Sequence, residues 1–378
     1  MNVFITRAAK FMPGTPVNND DMETRLGMAG DEPSKARRIV LRRNGIVQRY
    51  YALDAKGNPT YTNAQMAANA VKGLLDEQIT VDDIDVLACG TASPETLVPS
   101  HGVMVHGELG GKKDAEVVSF AGSCCTGADA LKYACLCVQA DSTLKAVAVA
   151  SERLSAWMRA SYFQEESLML AKLENKPMLA FEKEFLRWML SDGAYAVLVQ
   201  GKPNDEALSL RIDWIEITSF ANTRETCMYA GAEKDDDGTI KGWASFTEQE
   251  WLTRSVFAVK QDTRMLSEHI VTLGVDFLMR LADKHHFSTT DIDWFLPHLS
   301  SMFFKDKILE ELERRGFVIP EDKWFVNLPY VGNIASASAF AMMEELLYSG
   351  KLKKGEHLLI MIPESARFSY CYCMLTVV

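Results

Sequence analysis

The chain repeats itself, and the repeat limits its architecture more than any other feature. Around Asp85 it reads TVDDIDVLACGTAS and around Asp293 it reads STTDIDWFLPHLSS, each a polar turn, an Ile-Asp step and an apolar strand ending in small polar residues. The two lie 208 residues apart (293 − 85). Further on, EVVSFAGSCCTGADALKYA and WFVNLPYVGNIASASAFAMMEEL both run strand, glycine-bearing turn, alanine-rich helix, and setting Cys125 against Asn333 gives 208 again (333 − 125). A further strand follows each helix, KAVAVASERLSAW and EHLLIMIPESARFSY. Two segment pairs with one offset imply two homologous halves, 1–205 and 206–378, joined near 201–210.

Continuous apolar runs such as AVAVA and LLIMI, alternating with helices, call for sheets covered on both faces. The expected fold is α/β, a duplicated stack of five layers, αβαβα. With 378 residues and 48% hydrophobic content the chain can bury a large core. The stretch from about 157 to 188, rich in Met, Leu and Phe, has no counterpart in the second half; it is expected either to cap a pocket or to form a helical dimer contact.

Composition narrows the function. The formal net charge of −11 argues against nucleic acid as a partner, since phosphate binding depends on clustered Lys and Arg. No window reaches the roughly 20 uninterrupted apolar residues of a membrane span, and the N-terminus lacks the apolar core of a secretion signal. The eight cysteines stand mostly in apolar context without zinc-like pairing, so reduced core residues, no metal site and a cytoplasmic setting are expected.

In such a duplicated fold the strand-to-helix turns of the halves face each other, and chemistry is expected there. Cys125 and its neighbour Cys124 both stand at the first turn. Cys125 is favoured because Gly127 follows two positions on and because it pairs with Asn333 at the shared offset. A thiol at a helix N-terminus is expected to have a lowered pKa, and the local N–H groups can hold an oxyanion. Its bland alternative is a buried small residue. In the second half His298 ends the strand IDWFLPH and Asn333 occupies the turn before IASASAFAMM. A His N–H and an Asn amide aimed at one point can stabilise an enolate oxygen, although a lone histidine is more often structural.

Together SFAGSCCTGA, FLPHLSS and PYVGNIASAS resemble the Cys, His and Asn motifs of β-ketoacyl-acyl carrier protein synthase III, among the thiolase-fold condensing enzymes, over nearly the whole chain. The resemblance implies a thiolase-like sandwich, an acyltransferase that forms a carbon–carbon bond, Cys125 as the acylated nucleophile, and His298 with Asn333 as the decarboxylation pair. It implies no bound cofactor beyond the phosphopantetheine of an acyl carrier protein, or coenzyme A, as substrate carrier. It also implies a homodimer. LRRNGIVQRYYA resembles the segment at the mouth of that family's substrate tunnel, which places Arg43 at the carrier entrance; the basic run 35–43 suits an acidic carrier protein, or is simply an exposed charged helix.

Departures point to a specialised relative. The family's glycine-rich loop near the C-terminus reads PESARFSY, leaving Ser365 or Ala366 to supply an oxyanion N–H and putting Glu364 and Arg367 beside the site. His-Gln-Ala-Asn is reduced to His298-Leu299-Ser300-Ser301. Glu152, after an apolar strand, is a candidate base. It resembles the glutamate with which some condensing enzymes deprotonate a second acyl chain, including those that join two β-oxoacyl chains in dialkylresorcinol and cyclohexanedione formation, a group that PGTPVNNDDMETRLG also resembles. The bland reading of Glu152 is an ion pair with Arg153, Arg159 or Arg367. Two other functions stay open: a non-catalytic partner of an active ketosynthase, and a Cys-dependent acyl-thioester hydrolase. A degradative thiolase would bring a second catalytic cysteine, whereas Cys371 and Cys373 alternate along a strand. A hydroxymethylglutaryl-type synthase would want a glutamate where Ala92 follows Gly90-Thr91. Chalcone-synthase relatives share the triad and are not separated by it.

Overall fold

A computed structural model describes residues 1–28, 35–162 and 186–378. Its main sheet uses nine strands: β1 (Phe4–Phe11), β2 (Val86–Thr91), β3 (Glu116–Ala121), β4 (Ala146–Glu152), β5 (Gly193–Gln200), β6 (Leu210–Ser219), β7 (Trp294–Pro297), β8 (His357–Glu364) and β9 (Ser369–Val377). In space they run β7-β8-β9-β6-β1-β5-β4-β2-β3.

The duplication is written in this order. From its outer edge the first half reads β3-β2-β4-β5-β1, with β2 parallel to β3 and β4 and the other pairs antiparallel. The second half reads β7-β8-β9-β6 with the same senses, and Trp324 bridges Phe295 in parallel where a fifth strand would stand. Antiparallel contacts Phe4↔Arg211 and Ile5↔Leu210 join the halves. The 205/206 boundary falls between β5 and β6.

Seven helices matter to the site: α1 (Lys35–Asn44), α2 (Asn63–Lys72), α3 (His101–Leu109), α4 (Thr126–Ala140), α5 (Thr263–His285), α6 (Phe303–Arg314) and α7 (Ser338–Leu347). The helices α2 and α3 cover the outer face of the first half, while α5 lies on β8 and β9 with α6 beside it. Between the half-sheets run α4, against β2 and β4, and α7, which touches β1 and β5 on one side and β7 and β8 on the other. This is the five-layer αβαβα sandwich of the thiolase type.

Small residues make the central layer possible. The buried face of α4 includes Ala128, Ala130 and Ala134, so its axis sits close to the strands. At Gly90 a Cβ would meet the Thr126 carbonyl oxygen at 2.2 Å, and at Gly127 it would meet the Ser336 carbonyl oxygen at 2.4 Å. Glycine is required at both positions by close backbone approach. Strand β4 is buried along its whole length, as its unbroken AVAVA run requires. None of the described helices is long and apolar enough to cross a membrane.

Candidate active site

The pocket at the centre of the sandwich is lined by Ser123 and Cys124 from the first turn, by His298 and Asn333 from the second half, and by Ser365 after β8. Most of the remaining wall is apolar, including Leu154, Trp157, Leu186, Ile270, Phe304 and Met361. Both ends of the 157–188 insert thus reach the pocket; residues 163–185 lie outside the described residues.

The two adjacent cysteines are placed differently. Cys125 is the last residue before α4, and its thiol lies 3.6 Å from the Ile362 carbonyl oxygen, whereas Cys124 is the one that lines the pocket. The shared numerical offset misled because the two turns are built differently. In the second half a 3-10 turn, Ala335–Ala337, comes before α7, so Asn333 stands five residues before its helix and Cys125 one residue before its own. The close approach at Gly127 likewise serves packing against Ser336 across the halves. A lowered thiol pKa is corrected as well. Burial, with the Glu364 carboxylate next in importance, pushes Cys124 up to about 12 and Cys125 well above its usual range. Desolvation is the largest cause at both thiols.

His298 is fixed through its backbone, whose N–H donates to the Met361 carbonyl at 2.7 Å. Burial lowers the imidazole pKa to about 4, so at neutral pH the ring is uncharged and carries a single N–H. Its Nδ1 is buried without a hydrogen-bond partner among the described residues. Asn333 is held more tightly. Its N–H donates to Met189 O at 3.0 Å, its carbonyl accepts from Ser191 N at 2.9 Å, and its side-chain Oδ1 accepts from Ala335 N at 2.9 Å. With the amide oxygen occupied, Asn333 offers its NH2 group to the pocket.

Glu152 lies behind the wall. Its carboxylate, fully buried, accepts from Ala92 N at 2.9 Å, Ser93 Oγ at 2.6 Å and both N and Oγ of Ser336. Burial raises its pKa while these bonds oppose the rise. Glu152 is not among the residues lining the pocket, and among the described residues it pairs with none of Arg153, Arg159 and Arg367; Arg153 pairs with Glu95. It is a hydrogen-bonded tie between the halves. The loop after β8 divides similarly. Ser365 reaches the pocket and accepts from Gln261 Nε2 at 2.8 Å; the Ala366 carbonyl is taken by the N–H groups of Cys227 and Met228; Arg367 is exposed and donates to Arg224 O, clear of the pocket.

A second cavity opens beside the first, lined by Ile39, Arg43, Ser267, Ser301, Phe303 and Phe304 among others. Leu266 and Phe304 belong to both cavities. Arg43 therefore lines a cavity separated from the pocket of Cys124, His298 and Asn333 by two apolar side chains, Leu266 and Phe304. Sequence reasoning gave no weight to Gln261, which the pairing with Ser365 brings into the wall; nothing local in KQDT signals that contact.

Comparison with known proteins follows this geometry. Residues 282–362 match the family model described as 3-oxoacyl-[acyl-carrier-protein] synthase III C terminal. The chain is 23% identical over 361 residues to a β-ketoacyl-[acyl-carrier-protein] synthase III of Chlorobaculum tepidum, covering 95% of each chain. Among solved structures, Xanthomonas campestris OleA with bound lauric acid and lauroyl-CoA superposes with a TM-score of 0.74 at 17% identity, covering 100% of this chain and 99% of that one. A tetronic acid condensing enzyme superposes with a TM-score of 0.71 at 18% identity, covering 99% of each.

Proposed function

From the premise that the chain is a β-ketoacyl-acyl carrier protein synthase III-like condensing enzyme of the thiolase fold, we propose that it loads an acyl group onto Cys124 and extends it by decarboxylative condensation with a second, carrier-bound thioester. The observation that carries this reading is the placement of Cys124 with two neutral donors, His298 and the Asn333 NH2, in one apolar pocket.

The chemistry divides between the halves. The Cys124 sulfur attacks the first thioester carbonyl, the Sγ–C bond forms, the carrier's C–S bond breaks, and the thiol proton leaves with the carrier thiol. A malonyl-type thioester then loses carbon dioxide. The N–H groups of His298 and Asn333 stabilise the enolate oxygen, and the enolate carbon attacks the acyl group, breaking its bond to Cys124, whose thiolate takes up a proton from solvent. The pocket lining includes no carboxylate among the described residues, and a ring with a pKa of about 4 is a weak base. Decarboxylation needs no base, so it suits this site better than direct deprotonation of a β-oxoacyl chain.

The arm of an acyl carrier protein, or of coenzyme A, enters past Arg43. Exposed Arg38, Arg42 and Arg43 on α1 give an acidic carrier a complementary surface in a chain of net charge −11. A homodimer is supported by β3, a half-exposed strand at the end of the sheet, with Leu97 and Val98 76% and 85% exposed nearby. Eight free cysteines fit a reducing cytoplasm. The altered HLSS and PESARFSY segments favour specialised fatty-acid or polyketide-type synthesis over the housekeeping starter step.

Intact mass spectrometry after incubation with a panel of acyl-thioesters tests the reading. A covalent acyl adduct is expected on the wild type and on Cys125→Ala and absent from Cys124→Ala. An adduct lost only in Cys125→Ala would return the nucleophile to that residue. No adduct from any donor would favour the non-catalytic partner, and steady release of free acid would favour the hydrolase.

A further inference from the structure

The wall of the central pocket carries no Lys, Arg, Asp or Glu among the described residues. The second thioester of the proposed reaction nevertheless brings in a carboxylate, the group that leaves as carbon dioxide. His298 and the Asn333 NH2 are committed to the other end of that donor, its thioester oxygen. Any hydrogen bond to the carboxylate has to come from another neutral donor in the wall, and one hydroxyl is arranged to give it.

Ser365 is the first residue after β8 and lines the pocket. Its Oγ accepts from Gln261 Nε2 at 2.8 Å, and it donates to the Met228 sulfur at 3.7 Å. A thioether is a weak acceptor. The amide thus occupies the accepting side of the hydroxyl and leaves its proton on a poor partner. Gln261 is 3% exposed and pairs in register with Met228 across a two-stranded ladder, so both neighbours of the hydroxyl are set by one piece of backbone. Of the three serines in the wall, Ser365 alone accepts from a side-chain amide among the described residues. Strand β8 ties this hydroxyl to the rest of the site. Glu364, next to Ser365, accepts the Cys125 N–H at 3.0 Å. Met361, whose carbonyl holds the His298 N–H, lies four residues before Ser365 (365 − 361), no more than about 14 Å of extended chain. A malonyl group hydrogen-bonded at both ends bridges about 10 Å between donor atoms, a span within that reach.

We propose that the Ser365 hydroxyl donates to the carboxylate of the malonyl-type donor, and that Gln261 is a positioning residue that aims it. The inference rests on the decarboxylative reading given above. As the bond between the α-carbon and the carboxyl carbon breaks, its electron pair becomes the enolate, carbon dioxide leaves uncharged, and the negative charge moves to the thioester oxygen held by His298 and Asn333. A cation at the carboxylate would stabilise the charge where it starts and so oppose the step, because only interactions stronger in the transition state accelerate it. A neutral hydroxyl fixes the direction of the carboxylate with a weaker hold on that charge. The pair therefore selects for a donor with a free carboxylate and orients it for loss.

The test is the release of labelled carbon dioxide from carboxyl-labelled malonyl-coenzyme A and malonyl-acyl carrier protein with no acyl primer present, set beside acyl loading from butanoyl-coenzyme A read by intact mass in the same proteins. Ser365→Ala is expected to lower kcat/KM for carbon dioxide release by at least about tenfold, the value of one hydrogen bond to a charged group, and to affect loading far less. Ser365→Thr keeps the hydroxyl and should recover most of the rate. Gln261→Met keeps the length and removes the amide; its loss is expected to be smaller than that of Ser365→Ala and to add nothing to it in the double variant, because the amide acts through the hydroxyl. Unchanged release in Ser365→Ala overturns the proposal, and so do equal losses in release and loading, which make Ser365 a packing residue. Additive losses in the double variant overturn the part given to Gln261; if Gln261→Met does not fold, the Ser365 variants decide alone. No release from either donor by the wild type sinks the decarboxylative reading itself, whereas release that ignores Ser365 sinks only this inference.

Discussion

The turn at 122–127 and the turn at 331–338 descend from one ancestral strand-to-helix connection, and they now do different work. In the first, the strand passes into α4 with no residue at positive φ, and the group lining the pocket is the Cys124 thiol, followed by the Cys125 N–H that Glu364 holds. In the second, Gly332 and Ala335 both adopt positive φ (73° and 37°), a 3-10 turn is inserted before α7, and the group lining the pocket is the Asn333 amide, whose oxygen is tied to Ala335 N. A non-glycine residue in that region is strained, and such strain persists where surrounding contacts over-determine it. Duplication conserved the scaffold, and the chemistry lies where the copies depart from each other. In the proposed reaction one turn holds the group that forms a covalent bond, and the other holds a group that only donates a hydrogen bond.

That division can be broken by separating the two half-reactions. Asn333→Ala or His298→Ala should lower condensation by about 10²–10³-fold, the usual effect of removing one oxyanion donor, while the acyl adduct on Cys124 still forms. Single-turnover loading followed by steady-state product formation reads both quantities. If loading falls in parallel with condensation, the turns act as one unit and the division is wrong. The pH profile sharpens it. Burial lowers the His298 pKa to about 4, so the neutral donor is present above that value and is lost as pH falls through it. Condensation should show no inflection from His298 between pH 6 and 8; a break near 6.5 in the wild type that disappears in His298→Gln would mean the ring is charged near neutrality.

How far the sequence reached follows from the same contrast. The shared strand order was legible because a 208-residue offset survives in turns and strand patterns, which depend on local chemistry. His298 and Asn333 were legible because each ends a recognisable strand or precedes a recognisable helix. The choice between Cys124 and Cys125 was not, because adjacent side chains at a tight turn diverge, and which one faces the pocket depends on backbone angles set by packing of α4 on Gly90 and Ser336. The surroundings of Glu152 were not legible for another reason. Its partners Ala92, Ser93 and Ser336 come from three separate segments and both halves, a set that no local pattern announces. Arg367 was misplaced because the loop after β8 turns through Phe368 at φ 58° and carries the guanidinium outward.

The central-layer packing gives a prediction of intermediate size. Gly127→Ala drives a Cβ to 2.4 Å from the Ser336 carbonyl oxygen, pressing the two turns apart. Overpacking against backbone is expected to cost about 1–3 kcal/mol. Gly107→Ala on α3, where an added Cβ meets nothing within 4 Å, should be neutral or stabilising by up to about 1 kcal/mol. Chemical denaturation of both variants measures the difference. Equal stability would show that α4 and the second turn are not held at the close approach described.

The smallest expected effect concerns the route into the pocket that both turns share. Arg43 lines the outer cavity with Ser301, and Ser301 follows His298 by three residues, so a carrier arm passing Arg43 runs toward the second turn. Arg43→Ala should raise KM for a carrier-bound donor by about two- to fivefold, the value of one exposed charge of up to roughly 1 kcal/mol, and leave kcat nearly unchanged. The effect should shrink as salt rises, because exposed charges are screened beyond about 10 Å at 0.1 M ionic strength. A fall in kcat at unchanged KM would place Arg43 in the reaction itself. A KM effect of equal size at high salt would make it a packing residue of the Phe303–Phe304 wall, and the carrier would then have to enter by another face.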